Sequence, residues 1–282
     1  MAIAILLSAQ TNEELRTMAN EGNVEAQKVL GARYYYGDQL TKDLYQAAVW
    51  FEKAANAGDA QAQYAIAFMY QSGEGYSQDS IKAFNWYLKS AEQGFIDSEV
   101  ETGYCYFQGM GTEINYEKSV EWYLKAALKG NKIAQHSIGY LNMEGMGLDE
   151  NTGEAIKWFK RAVAQQYENS YAHLANLLYD SGESSEYPEA LRLYKILADK
   201  GDPDAQYKLA MMYLNGMGIS ASDYYAFEWV TKAADQDHIQ ALYQLSDMYK
   251  YGKGTSIDTA KARELHDKAD ELEWEWMNWF WF

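Results

Sequence analysis

The apolar positions of this chain fall into a pattern that returns every 36 residues. A Leu-Gly-like pair recurs at Leu30-Gly31, Ile66-Ala67, Thr102-Gly103, Ile138-Gly139, Leu174-Ala175, Leu209-Ala210 and Leu245-Ser246, in steps of 36 residues with a single step of 35. A bulky residue keeps the same phase at Trp50, Trp86, Trp122, Trp158, Tyr194, Trp229 and Leu265. Gly-x-Gly turns separate the two landmarks at Gly73/Gly75, Gly109/Gly111, Gly145/Gly147, Gly216/Gly218 and Gly252/Gly254. Three unrelated signals held in phase along the whole chain define a tandem array.

Each unit reads as two helices. In the first, helix A, Ala26, Leu30 and Tyr34 stand at i, i+4 and i+8 and share one face, as do Ala62, Ile66, Tyr70 and Ala205, Leu209, Tyr213. The Gly-x-Gly closes helix A, because glycine supplies the left-handed conformation that ends a helix. Helix B then begins at a residue able to cap free amides: Asp43, Asp79, Asn115, Asn151, Ser222 and Asp258. In the fifth unit this place falls to Tyr187, with Pro188 suited to the first turn behind it; Pro203 likewise opens helix A of the sixth. Helix B carries Ala47, Trp50, Phe51, Ala54 and Ala55, and its equivalents end at Gly58, Gly94, Gly130 and Gly201. A single unit cannot bury its apolar face, so the spacing predicts an all-α, right-handed α-solenoid of about seven helix-turn-helix repeats. The array runs over residues 11–272, with repeats at about 23–59, 60–95, 96–131, 132–168, 169–202, 203–238 and 239–272. Residues 11–22 open with a capping box, Thr11 to Glu14, and form an N-terminal cap helix.

Composition narrows the function. With 48% apolar residues, 15% aromatics and two prolines the chain can bury a large core. Its 41 acidic and 24 basic residues give a net charge of −17. Such a field repels phosphate backbones and anionic lipid, so the expected partner is another protein with a basic or neutral surface, not nucleic acid and not a membrane. Cys105 alone excludes a disulfide framework, and the four histidines have no metal-ligand spacing. No metal or cofactor is expected, and no apolar run is long enough to span a bilayer. Residues 1–10 are read as an N-terminal extension. Met1–Ala9, MAIAILLSA, has the apolar run and small residues of a secretory signal cleaved after Ala9, without its basic leader. That reading makes the protein periplasmic or otherwise exported; the alternative, an apolar start packed on the first repeat, leaves it cytoplasmic.

Strings such as AQYAIAFMYQSGEG followed by AFNWYLKSAEQG, from Ala62, and AQHSIGYLNMEGMG followed by AIKWFKRAV, from Ala134, resemble the Sel-one-like repeat family, related to the tetratricopeptide repeats. The likeness covers residues 11–272. It implies an all-α superhelix whose helix A residues line a concave groove, and a role as a protein-binding adaptor or scaffold. Some bacterial members resemble immunity proteins that neutralise secreted toxins such as phospholipases, which stands as the alternative function. A subgroup carries a disulfide in each repeat, and with Cys105 alone this chain departs from it. Repeat seven departs from the consensus too, as a terminal unit should.

The register of these families places three series in the groove. The first is Lys28, Tyr64, Val100, His136, Ala172, Tyr207 and Tyr243. The second is Ala32, Phe68, Tyr104, Tyr140, Asn176, Met211 and Asp247. The third is Tyr35, Gln71, Phe107, Met143, Tyr179, Leu214 and Lys250. Rigid aromatics give large contact area with few rotamers to freeze, so the Tyr, Phe, Met, Leu and His members are the candidate partner contacts. Asp97, Glu144, Asp180 and Asp204 rim them. The plainer reading is that the rings pack on each other and fill the groove internally.

The tail, residues 273–282, carries Trp274, Trp276, Trp279 and Trp281. As a helix it is apolar nearly all round, and it is expected to be at least partly buried as a cap on repeat seven or in the groove mouth. Trp276 and Trp279 join the candidate contacts; Glu271, Glu273 and Glu275 oppose an anionic membrane. No catalytic constellation stands out. His136 shares its place with Tyr64, Tyr207 and Tyr243 and reads as one more ring, while His173 sits in another register. The Gly-x-Gly series lacks the strand and the Gly-Lys-Ser/Thr of a phosphate loop. Lys53, Lys89, Lys125 and Lys232 recur near helix C-termini, where a solvated cation is expected. The chain is therefore read as non-enzymatic, and a repeat-built hydrolase would need a cluster of unlike polar residues that the repeats do not contain.

Overall fold

The computed structural model describes residues 10–279, apart from the side chains of Trp276, Asn278 and Trp279. Residues 1–9, and with them the choice between signal and apolar start, lie outside the described residues. The described elements are all helices: α1 (Asn12–Asn20), α2 (Val24–Tyr36), α3 (Leu44–Asn56), α4 (Ala60–Ser72), α5 (Ser80–Glu92), α6 (Ile96–Gln108), α7 (Tyr116–Leu128), α8 (Lys132–Glu144), α9 (Thr152–Ala164), α10 (Asn169–Asp180), α11 (Tyr187–Asp199), α12 (Pro203–Asn215), α13 (Asp223–Ala234), α14 (Ile239–Tyr251) and α15 (Thr259–Trp279). The chain divides into two compact units, one ending at Trp158 and the other starting at Phe159. Inside each unit the packing runs between helices adjacent in sequence, the arrangement of a solenoid.

In the first unit the cap helix α1 covers repeat one. Its Thr11–Glu14 capping box is formed, and Leu15 and Ala19 are buried with Ala26, Leu30 and Trp50. Each later tryptophan reaches back into the preceding repeat: Trp86 packs on Ala54, Ala55, Ala62 and Ile66, and Trp122 on Ala83, Phe84 and Tyr87. Repeats therefore share cores, which is why none folds alone. Lys53, Lys89, Lys125 and, in the second unit, Lys232 are more than solvated cations near helix ends. Each ammonium sits over its tryptophan, at 3.9, 4.3, 3.6 and 3.8 Å from the ring centroid.

Sequence and structure agree closely at the helix ends. Asp43, Asp79, Asn115, Asn151, Ser222 and Asp258 each accept a backbone N–H in the first turn of helix B. In repeat five the cap position belongs to Glu186 and not to Tyr187. Its side chain does not cap; Pro188 presets the first turn, and the Glu186 carboxylate instead meets Lys160 at 3.1 Å. Gly-x-Gly has a second purpose beyond ending helix A. A Cβ on Gly111 would stand 2.0 Å from the Ser80 carbonyl oxygen, so this glycine lets one repeat's turn touch the helix B backbone of the repeat before.

Buried glutamines join successive repeats. The amides of Gln27, Gln63, Gln135 and Gln206 donate to the carbonyls of Ala19, Ala55, Ala127 and Ala198 at 3.0–3.2 Å. Gln93 and Gln236 then donate to the side-chain oxygens of Gln63 and Gln206 at 2.7 and 2.8 Å. In repeat three the joint is ionic: Glu99, 2% exposed, takes the glutamine place and Lys129 the donor place, with Nζ 2.7 Å from Glu99 Oε1.

In the second unit Ala226, Val230, Leu242, Leu245 and Met248 form the core, and Leu265, Ala269 and Leu272 of α15 close it. Beyond Leu272 the tail continues as helix. No glycine or proline interrupts residues 269–279, so α15 runs on past the core it covers. Trp274 and Met277 are 65% and 49% exposed, partly covered as expected. The side chains of Trp276 and Trp279, and all of Trp281, lie outside the described residues.

Candidate interaction surface

The three series fall on helix A of each repeat, as their spacing requires: on α2, α4, α6 and α8 in the first unit, and on α10, α12 and α14 in the second. The structure separates them by what already touches them.

Three members of the first series, Lys28, Tyr64 and Tyr207, are partnered across the repeat boundary by a residue near the head of the next helix A. The Lys28 ammonium lies 2.9 Å from Asp59 and 2.8 Å from Glu25. Burial pulls its affinity for a proton down, but the two carboxylates outweigh that and hold it above its ordinary value. The Tyr64 ring packs against Phe95 at 5.5 Å and Tyr87 at 5.6 Å, and Tyr207 stacks on His238 at 5.0 Å. Val100 is buried and His136 half-buried. Tyr243 sits beside His266, its hydroxyl against the carboxylates of Asp270 and Glu273. Phe95 and His238 occupy the N-cap place of helix A. His238 still accepts the Ala241 amide, whereas Phe95 makes no cap bond and instead supplies a ring.

Several members of the third series are engaged as well. Tyr35 donates to Glu74 at 2.5 Å, and Gln71 accepts from Tyr87 at 2.7 Å. Phe107 lies against Tyr116 and Tyr140. Tyr179 lies against Tyr187 and Tyr194, with the Lys208 ammonium 4.5 Å from its ring. Met143 and Leu214 are half-buried, Leu214 on the second unit's core.

The second series is the open one. Phe68 and Tyr104 are 39% and 40% exposed, on successive repeats of the first unit. Tyr140 follows, half-buried against Phe107, and in the second unit Met211 is half-buried. Beside Phe68 lies a cavity of about 580 Å³ between α2 and α4, lined by Val29, Ala32, Tyr35, Tyr36, Phe51, Ala62, Tyr64, Ala65, Phe68 and Met69, with Glu25, Lys28 and Gln61 among its polar residues.

The charge around this face is acidic. Glu101 stands on α6, where the other repeats have residues such as Val29, Ala65 and Ser137. Burial, then the charge of Asp97, pushes its carboxyl above the usual range. Burial together with Glu101 and Asp97 also raises the Tyr64 hydroxyl, and burial with Glu101 takes the Cys105 thiol up to about 12, leaving it unreactive. Of the acidic rim, Asp97, Glu144 and Asp180 are exposed and Asp204 binds His238 at 3.0 Å. Sequence reasoning missed both Glu101 and the Phe95 and His238 partners. The first was readable as a carboxylate breaking a repeat position, and the second as a recurring pairing 31 residues apart, in Lys28–Asp59, Tyr64–Phe95 and Tyr207–His238.

Helical repeats with shared cores, an aromatic face and no clustered metal-ligating residues among those described define a repeat scaffold of the protein-interaction class. The Sel1 repeat model matches residues 24–59, 60–95, 96–131, 132–167, 169–202, 203–238 and 239–269, and the chain belongs to the Sel1 repeat family, whose repeats are protein-interaction modules and generally non-enzymatic scaffolds. It is similar to c5321, a protective antigen of uropathogenic Escherichia coli strains displaying an SLR fold: 30% identity, TM-score 0.79, covering 92% of this chain and 56% of that one. A Sel1 repeat protein from Oxalobacter formigenes matches at 31% identity and a TM-score of 0.61, over 86% of this chain and 96% of that one. An exopolysaccharide production negative regulator of Rhizobium leguminosarum bv. viciae is 32% identical over 101 residues, 31% of this chain. The chain spans 37% of that regulator's length and 23% of an uncharacterized protein of Neisseria meningitidis.

Proposed function

We propose that this chain is a non-catalytic adaptor that binds a basic or neutral segment of another protein on the helix A face of its first unit. The observation that carries this is the open second series. Phe68 and Tyr104 remain exposed on a face whose other rings pack on protein neighbours, and the cavity and the acidic residues adjoin them. Exposed, rigid aromatics rimmed by charge are the composition of binding hot spots.

The test is a double variant, Phe68→Ser with Tyr104→Ser, compared with the parent chain by calorimetry against a partner isolated by cross-linking in the native host. Affinity should fall at least about tenfold while the helical circular dichroism signal is unchanged. Undiminished binding would move the site off this face. The narrower role of an immunity protein would use the same acidic surface against a basic toxin active site. It is separated by adding the purified chain to the captured partner and measuring whether the partner's activity is blocked at equimolar concentration.

A further inference from the structure

The cavity between α2 and α4 and the carboxylates on α6 meet at one ring. Tyr64 lines the cavity, and its ring packs at 5.5 Å on Phe95, the N-cap of the helix that carries Asp97 and Glu101. The cavity wall is apolar, made by Val29, Ala32, Tyr36, Phe68 and Met69, and 580 Å³ is room for a large side chain. Tyr36, 76% exposed, stands at the open edge. The cation at the cavity, Lys28, is already matched by Glu25 and Asp59, so it offers nothing to an acidic ligand. Glu101 and Asp97 enter no ion pair among the described residues. A half-buried carboxylate without a counter-ion is under-solvated, and an incoming cation restores what burial removed.

We propose, resting on the reading of this face as the binding site, that it recognises a peptide segment of a partner protein carrying two features. A bulky aromatic or long aliphatic side chain seats in the cavity, and a neighbouring lysine or arginine, on the far side of Tyr64, pairs with Glu101 and Asp97. Specificity follows from the combination. An apolar segment without the cation leaves Glu101 buried deeper and unmatched, and an acidic segment meets like charge.

The experiment selects twelve-residue peptides from a random displayed library on the full chain, then measures synthetic versions by fluorescence polarisation. Enriched peptides should pair a large apolar residue with a lysine or arginine within a few positions. Ala32→Trp, which fills the cavity, should weaken them about tenfold or more, and Phe68→Ala, which cannot overpack, should act in the same direction. Glu101→Gln with Asp97→Asn should weaken a lysine peptide severalfold and leave its norleucine version unchanged. Absence of enrichment, peptides without a cation, or indifference to both cavity variants overturns the proposal. If Tyr104→Ser abolishes binding while the cavity variants do not, the helix A face stands and the anchor pocket falls. If none of these variants matters, both fall.

Discussion

The first and second groove series of the first unit lie four residues apart on the same helices, yet they do different things. Tyr64 is wedged against Phe95 and Tyr87, and Lys28 is held by Asp59, so these two members of the first series fasten their repeats to the next. Phe68 and Tyr104, one turn further on, keep about two-fifths of their surface in water. The difference lies in what the following repeat presents. Near the head of the next helix A a side chain reaches back over the first series, and nothing equivalent covers Phe68 and Tyr104. An aromatic on the groove face is therefore not evidence of binding until its neighbour one repeat on has been identified.

The comparison between joint and open surface can be broken by substitution. The largest effect is expected at a joint residue on helix B: Trp122→Ala removes a ring 9% exposed that packs into the preceding repeat, and should destabilise by about 3–5 kcal/mol in urea melts. A small loss would put this tryptophan on the surface. Next comes Lys129→Met, which leaves Glu99 buried without its cation; about 2–3 kcal/mol is expected, reduced from a fully buried pair because Lys129 is 40% exposed. Adding Glu99→Gln and making position 129 Gln, the neutral joint used elsewhere in the array, should recover most of that loss. Third, Tyr64→Ala should lower stability by about 1–2 kcal/mol, whereas Phe68→Ala should lower it by less than about 1 kcal/mol. Equal losses would erase the distinction between the two series.

The smallest effect is a pH dependence. The Glu101 carboxyl is raised by burial and by Asp97, so its contribution is favourable when protonated and fades as pH climbs through its raised folded value. Glu101→Gln should accordingly raise the melting temperature at pH 7, with the gain disappearing below the unfolded carboxyl value of about 4.3. A gain equal at pH 7 and pH 3.5 would mean that packing, and not ionisation, is responsible.

Much of this was legible in the chain because repetition exposes it. Capping residues and terminating glycines act within a few residues of backbone, and a local rule sampled in successive repeats is hard to misread. Gln166 and Asp237 were less visible. They adopt the left-handed conformation at φ 57° and 61° where other repeats end helix B with a glycine, a conformation residues other than glycine rarely take. In the tail, the unbroken α15 carries Trp274 beyond Leu272 and the core, and the side chains of the other three tryptophans lie outside the described residues.

By itself the sequence determined the period, the helix boundaries, the capping and the membership of a protein-interaction repeat family, because each depends on backbone conformation and on contacts between neighbouring segments. Only the tertiary structure decided which rings bind the protein to itself and which remain available. That choice turns on pairs 31 residues apart, such as Tyr64 with Phe95, and on a cavity between α2 and α4 that exists only when two repeats are stacked. Exposure is a property of packed neighbours, and a single residue's identity does not carry it.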